Sequence, residues 1–176
     1  MIRMKYAYGM YGGKFMPFHK GHLHCVEKAL EVCDKLYLIL FYNGEQEEAI
    51  IQSFAQRASG GEYGWLKLTP EERWKTVQKV ASQFNGRVIP LKVDVATCRD
   101  ENGREDWDKE TPLVLNACNQ GRFDVVFGSE EEYRPYFKKS YPWAEYHIID
   151  KERNEVPISA TKIRNMNEEE AKGWMI

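Results

Sequence analysis

The sequence predicts one doubly wound α/β domain, and three observations support this fold class. Five apolar or aromatic runs typical of strands alternate with segments whose apolar residues recur at helical spacing. The longest apolar run, residues 36–42, can be buried on both faces, as strands of a parallel sheet are. A glycine-bearing loop joins the first strand to the first helix, where open α/β sheets bind ligands. We therefore expect a mainly parallel five-stranded sheet with helices on both faces, formed by residues 1–176.

The strands are predicted from runs of β-branched and aromatic residues between turn-forming residues. Residue 90 is a proline inside the third run, and it indicates an edge strand or a bulge because proline cannot donate to a ladder of hydrogen bonds. The predicted strands cover residues 5–11, 36–42, 88–95, 124–127 and 144–150.

The helices are predicted from apolar spacing and from their start signals. The strongest signal is at residues 69–72, T-P-E-E, a capping-box pattern with proline in the first turn. Helices are expected over residues 23–33, 69–84 and 111–121, as two short pieces from a cap at Ser129, and again from a cap at Ser159. Residues 45–68 are expected to be an irregular insertion with at most a short helix near 47–55, and residues 165–176 a C-terminal tail.

Composition excludes several classes of partner. The net charge is −2 with 30% charged residues, which does not indicate a surface for nucleic acid. The longest apolar run has seven residues, whereas a membrane-spanning helix needs about twenty. The four cysteines form no C-x-x-C pair, and we expect reduced structural thiols. With no secretory pattern at the N-terminus, the chain is expected to be a soluble cytoplasmic protein.

Residues 12–22 form the loop on which the functional prediction depends. His19 and His22 are three residues apart at a helix start, so their rings can face one point. Gly13 permits close backbone approach, and Lys14 adds a positive charge. With free N–H groups at the helix terminus, these side chains predict a receptor for an anion such as phosphate.

A second candidate receptor lies near the C-terminus. Ser159, Thr161 and Arg164 are spaced to lie together on the first turn of the last predicted helix. Two hydroxyl groups and a guanidinium at such a position also suit a phosphate. Either element alone is a weak signal, but two of them, each following a predicted strand, favour a nucleotide triphosphate as ligand.

Both elements match a known pattern. Residues 13–22, G-K-F-M-P-F-H-K-G-H, resemble the H-x-G-H signature of the nucleotidylyltransferase superfamily, and residues 158–164, I-S-A-T-K-I-R, are similar to its I-S-x-T-x-x-R motif. With E-R-W at 72–74, W-D at 107–108 and F-G-S-E-E at 127–131, the chain most resembles the nicotinamide mononucleotide (NMN) adenylyltransferase domain of bifunctional NMN adenylyltransferase/ribosylnicotinamide kinase proteins. Ala160 replaces a serine that many relatives have, and no kinase P-loop follows.

This resemblance implies a Rossmann-like fold and transfer of AMP from ATP to NMN, which releases pyrophosphate by in-line displacement. It implies Mg²⁺ carried by the ATP phosphates, with no metal site of the protein's own. The implied site residues are His22, His19 and Lys14 for catalysis, Gly13, Phe15, Ser159, Thr161 and Arg164 for the phosphates, Gly128 and Ser129 for adenine or ribose, and Tyr42, Asn43, Trp107 and Arg73 for the acceptor.

Several alternatives stay open at this stage. Another phosphorylated acceptor (FMN, pantetheine phosphate or nicotinate mononucleotide) would suit the same motifs, as would a nucleotide sensor without turnover. Trp107 can instead cap the core from its loop, and Arg73 can lie on the surface of its helix. The sequence leaves open a homo-oligomer and the role of the tail, which can pack on the domain, contact another subunit or lead into a longer chain.

Overall fold

Five parallel strands form the sheet. The computed structural model describes residues 3–57 and 64–176. The strands are β1 (Tyr6–Gly13), β2 (Cys33–Tyr42), β3 (Val88–Asp94), β4 (Val125–Gly128) and β5 (Glu145–Ile148). Their spatial order is β3-β2-β1-β4-β5, and every pairing is parallel. The predicted doubly wound sheet is confirmed, with Pro90 on an edge strand as expected.

Seven α-helices are present in the described ranges. They are α1 (Lys20–Ala29), α2 (Gly44–Arg57), α3 (Pro70–Ser82), α4 (Trp107–Ala117), α5 (Arg134–Ser140), α6 (Ala160–Arg164) and α7 (Glu168–Lys172). Short 3₁₀ turns occupy Gly64–Leu66, Glu131–Tyr133 and Lys151–Arg153. None of the described helices is long and apolar enough to cross a membrane.

The central strand β2 shows how the two layers of helices are held. Leu36, Leu38 and Leu40 point to one face and pack with buried residues of α1 and α3. Tyr37 and Ile39 point to the other face and pack with buried residues of α4 and of the segments around α5. Each buried leucine or isoleucine contributes about 1.5–3 kcal/mol of burial free energy. The alternation of side chains along the strand therefore fixes helices on both faces of the sheet.

The topology also determines where a ligand can bind. From β1 the chain proceeds to β2 and β3 on one side, and then returns to place β4 on the other side of β1. Such a reversal opens a crevice at the carboxyl ends of the two strands. Here the loops that follow β1 and β4 diverge to opposite faces, and they leave that crevice between them.

Some predicted element boundaries are wrong. Helix α1 ends at Ala29, and Cys33 begins β2 instead of lying on the helix. Helix α4 begins at Trp107, four residues before the predicted start, because the Asp106 side chain accepts the Asp108 N–H at 3.1 Å and caps it. Pro112 consequently lies inside α4. The two short helical pieces after β4 are present, but no side chain caps the first of them.

The segment expected to be irregular is largely helical. Helix α2 covers fourteen residues, longer than the predicted 47–55, and residues 58–63 lie outside the described residues. A buried ion pair between Arg73 and Glu47 joins α3 to α2. The C-terminal tail packs on the domain, where Trp174 and Met175 contact the cluster that contains Met16. All four cysteines are buried and free.

Candidate active site

A cavity of about 360 Å³ lies at the carboxyl ends of β1 and β4. Its floor is formed by the last residues of β1 and by Gly128 and Ser129. One end contains His19 and His22, and the other contains aromatic side chains from α4 and the α5 region. The predicted loop and the predicted adenine-binding residues therefore lie in one crevice, at the point where the strand order reverses.

Two hydrogen bonds orient the histidine pair. Nδ1 of His19, the N-cap of α1, accepts the Gly21 N–H at 3.0 Å, and Nδ1 of His22 accepts the His19 N–H at 3.2 Å. The rings are stacked with centroids 3.6 Å apart. A neutral imidazole whose Nδ1 accepts must have its hydrogen on Nε2. Both rings thus have a fixed tautomer with Nε2–H as the remaining donor.

The environment keeps both rings uncharged at neutral pH. Burial, with a contribution from the positive charge of Arg153, lowers the pKa of His19 to about 4. Burial also lowers the pKa of His22 well below its ordinary value, and the charges of His19 and Arg153 add to that effect. Desolvation disfavours the charged form of an imidazole. The pair is therefore suited to donate hydrogen bonds to a developing oxyanion and not to exchange protons with solvent.

Packing fixes the ring positions. Phe15 and Phe18 contact the His22 ring at centroid distances of 4.8 and 5.2 Å. Phe15 is 2% exposed, so its side chain supports the histidine and does not line the cavity. A Cβ atom on Gly21 would lie 2.8 Å from Cε1 of His19. The glycine between the two histidines is therefore needed to leave room for the first ring.

The α1 terminus differs from the prediction in one respect. We expected free N–H groups there, but the Lys20 N–H donates to the Trp174 carbonyl at 2.8 Å and the Gly21 N–H donates to His19. The C-terminal tail supplies the first of these acceptors, which helical spacing could not reveal. An anion at this end of the cavity would thus meet imidazole N–H groups in place of those two backbone groups.

The second motif contacts the first loop. The Ser159 hydroxyl accepts the Lys162 N–H at 3.1 Å and caps α6 as predicted. Arg164 donates to the Met16 carbonyl at 2.7 Å and to the Thr161 hydroxyl at 3.3 Å. Arg164 thus holds the loop, and none of the three side chains lines the cavity. Their phosphate contacts stay predictions.

The far end of the cavity is aromatic and charged. Trp107 contacts Tyr136 edge-on, with ring centroids 4.5 Å apart, and lies 5.3 Å from the Tyr133 ring. Glu105 forms an ion pair with Lys14 at 2.8 Å. These five side chains and that of Glu110 all border the cavity. The structure thus brings Trp107 and Lys14 into the crevice, as the prediction requires.

Three predicted acceptor residues lie elsewhere. Asn43 is buried, and its side chain accepts the Gln46 N–H at the start of α2. Arg73 is 1% exposed and donates to the carbonyls of Leu68 and Lys14, so its surface alternative is wrong. Neither residue borders the cavity, and Tyr42 does not either. The side chains of Asn43 and Arg73 instead hold the start of α2 and the loop after β1.

Arg153 is a cavity residue that sequence reasoning missed. It lies in the 3₁₀ turn after β5 with a φ of 55°, and its guanidinium is 3.9 Å from the Glu130 carboxylate. Its charge contributes to the lowered pKa values of both histidines, so it lies near them. The sequence offers only a charged loop here, and no motif distinguishes this arginine from its neighbours.

The described residues contain no group of three or more His, Cys, Asp or Glu side chains arranged to hold a metal ion. The donors at the histidine end are imidazole N–H groups and cations, which suit phosphate oxygens and not a divalent cation. A magnesium ion would therefore depend on the ligand for most of its coordination.

The curated protein that the chain matches over most of its length is much longer than the chain. The sequence is 23% identical over 169 residues to the trifunctional NAD biosynthesis/regulator protein NadR of Escherichia coli, and the match covers 92% of the chain but 37% of that relative. A 38-residue stretch is 45% identical to the phosphopantetheine adenylyltransferase of Streptococcus sanguinis, covering 22% of the chain and 23% of that enzyme. The chain thus spans well under half of the relative that it matches over most of its length.

Solved structures share the fold. A NadR protein crystallised with NAD and AMP-PNP superposes with a TM-score of 0.67 at 21% identity, covering 96% of this chain and 44% of that one. A bifunctional NMN adenylyltransferase/ADP ribose pyrophosphatase from Francisella tularensis gives 0.50 at 20% identity, covering 91% and 41%. The family described as cytidylyltransferase-like matches residues 10–166, which include both motifs. The chain belongs to this cytidylyltransferase-like family of nucleotidyltransferases, as the resemblance of its two motifs predicts.

Proposed function

We propose that the protein transfers AMP from ATP to NMN, forming NAD and pyrophosphate. One observation carries this proposal: a neutral histidine pair and a pocket walled by a tryptophan border the same cavity. The first suits a reacting phosphate, and the second suits a planar ring. NadR and the Francisella enzyme, whose names refer to NAD metabolism, support the choice of acceptor.

The chemistry requires positioning and charge stabilisation. The NMN phosphate attacks the α-phosphorus of ATP in line, and pyrophosphate leaves without a covalent enzyme intermediate. Negative charge is spread over phosphoryl oxygens in such a transition state. The Nε2–H group of His22 is the donor we assign to the α-phosphate, and His19 stacks beside it and fixes its tautomer through the backbone.

Positive side chains would hold the triphosphate. Arg153 borders the cavity on the histidine side and is the cation we place beside the triphosphate, whereas Lys14, predicted for this role from the sequence, pairs with Glu105 at the aromatic end. Arg164 holds the Met16 carbonyl, and we expect it to contact the leaving phosphates with Ser159 and Thr161 when ATP is bound. Mg²⁺ would enter with ATP and neutralise part of its charge.

The adenosine would lie along the end of β4. Gly128 and Ser129 border the cavity there. A Cβ atom at Gly128 would lie 2.2 Å from the Tyr146 hydroxyl, so only glycine lets the backbone lie against that side chain. The Gly128 carbonyl accepts the Ile149 N–H at 2.8 Å, so adenine or ribose would lie against the backbone of residues 128 and 129 without using that carbonyl.

The test is pyrophosphate release from ATP with a panel of acceptors. We expect the highest kcat/KM with NMN and lower values with nicotinate mononucleotide, FMN and pantetheine phosphate. Pantetheine phosphate is included because of the short match to a phosphopantetheine adenylyltransferase. A higher kcat/KM with FMN or pantetheine phosphate would reject NMN as the acceptor. If no acceptor of the panel gives pyrophosphate release, the result would favour a nucleotide sensor.

A further inference from the structure

The aromatic end of the cavity has a second property that NMN adenylylation does not require. Two carboxylates, Glu105 and Glu110, border the cavity beside Trp107. Glu105 is paired with Lys14 and also accepts the Trp107 indole N–H at 3.4 Å. Glu110 lies on α4, one turn after Trp107, and forms no hydrogen bond or ion pair with the described residues. One of the two carboxylates is thus matched by a cation, and the other is not.

The charges at this end leave an excess of one negative charge. Lys14 offsets Glu105, and no further cation borders the cavity beside Glu110. Arg99 and Asp106 are the other charged groups near Glu110, and they oppose each other in sign. Burial and the charge of Glu105 raise the pKa of Glu110 to about 7. The unmatched carboxylate is therefore costly to ionise until a cation is placed near it.

The surrounding rings favour the same kind of ligand. Trp107, Tyr133 and Tyr136 line this end, and the negative face of an aromatic ring attracts a cation. Aromatic walls with a partly buried carboxylate complement a planar ring that carries a positive charge. A neutral ring would gain only stacking, and an anionic group would be repelled.

We propose that Glu110 and the aromatic wall select an oxidised pyridinium ring, and that they disfavour its reduced, uncharged form and its carboxylate analogue. The inference rests on the proposed function, since the ring would belong to the acceptor. It would distinguish the amide and acid forms of one nucleotide by charge, because a carboxylate on the ring would be repelled by Glu110. Glu110 acts on affinity for the acceptor, because it lies at the opposite end from the histidines.

Reduced NMN is the sharpest probe, because it retains the ribose, phosphate and carboxamide but lacks the ring charge. Calorimetry at pH 8 without ATP gives Kd for NMN, reduced NMN and nicotinate mononucleotide. We expect NMN to bind about tenfold more tightly than the other two, the size of one partly buried charge interaction. In Glu110→Gln we expect the Kd for NMN to rise about tenfold and the Kd for reduced NMN to stay unchanged. The preference for NMN over reduced NMN would then be lost.

Glu101→Gln is the matched control, because it removes an exposed carboxylate of the preceding turn that does not border the cavity. It should retain the preference. Equal Kd values for NMN and reduced NMN, absence of binding by both, or a parallel weakening of all ligands in Glu110→Gln would overturn the inference. Because binding is measured without ATP, these outcomes are separate from failure of AMP transfer, which would reject the proposed function alone.

Discussion

The two ends of the cavity are built by different means. The histidine pair comes from one continuous segment, in which Nδ1 of each ring accepts a backbone N–H from a residue two or three positions away. The aromatic end is assembled from three separate segments that supply Lys14, Glu105, Trp107 and Tyr136. Its polar side chains remain partly exposed, as with Glu105 at 32% and Lys14 at 50%. The first end is rigid before a ligand arrives, and the second can adjust to one.

This difference separates reaction from recognition. A transition state requires donors that are fixed in advance, because any reorganisation adds to the barrier. Selection among acceptors depends on differences of affinity, which loops and surface side chains can change without disturbing the reacting groups. We therefore expect substitutions at the histidine end to lower kcat for every acceptor. Substitutions at the aromatic end should change KM for particular acceptors.

The largest effect is expected at His22. His22→Ala removes the Nε2–H donor assigned to the α-phosphate, and we expect kcat to fall on the order of 10²-fold or more with every acceptor. Steady-state pyrophosphate release measures the effect, and circular dichroism checks the fold. His24→Ala is the matched control, because His24 pairs with Glu155 outside the cavity. A near-normal kcat in His22→Ala would show that this end does not perform the chemistry.

Arg164 tests whether the second motif belongs to the histidine end. Arg164→Ala should raise KM for ATP and pyrophosphate roughly tenfold, because the donor that we propose for the phosphates is lost together with its bond to the Met16 carbonyl. The KM for NMN should change less. Arg164→Lys keeps the charge but cannot make both bonds of the guanidinium, so it should be intermediate. Equal increases for all three ligands would indicate a structural role only.

The difference between the two ends of the cavity also explains which features could be predicted from the sequence. The sheet followed from apolar strands, and the histidine pair followed from spacing within one loop, because both depend on contacts between near neighbours in sequence. Arg153 and Glu110 could not be found in this way, since their approach to the cavity depends on how β4, β5 and α4 are placed in space. Asn43 and Arg73 were predicted at the acceptor, but a helix cap and a buried ion pair use their side chains.

At the aromatic end, Trp107 should determine affinity and not rate. Trp107→Ala should raise KM for NMN about tenfold by loss of stacking, with KM for ATP nearly unchanged. Trp107→Phe should restore part of the affinity, because a ring is again present. The matched control is Trp143→Ala, since Trp143 is exposed and does not border the cavity. If KM for NMN is unaffected in Trp107→Ala, this tryptophan only packs between Tyr133 and Tyr136.

The smallest effect is expected on stability, and it concerns Glu110. Its pKa rises from an ordinary 4.5 to about 7 on folding, through burial and then Glu105, with Lys14, Arg99 and Asp106 as the other charges nearby. Between these pH values the folded chain therefore holds more protons than the unfolded chain, so the free energy of unfolding falls as the pH rises. Glu110→Gln removes this loss.

We accordingly expect Glu110→Gln to raise Tm by about 2 °C at pH 8 and to leave it nearly unchanged near pH 4, where the Glu110 carboxyl is mostly protonated in both the folded and the unfolded chain. The gain is small because the carboxyl is only partly buried. Glu101→Gln, measured by the same thermal scans, should show no such dependence on pH. A lower Tm for Glu110→Gln at pH 8 would mean that Glu110 stabilises the fold. A higher Tm for Glu110→Gln, together with weaker NMN binding, would mean that Glu110 lowers the stability of the fold while it strengthens binding of the acceptor, as residues of functional sites commonly do.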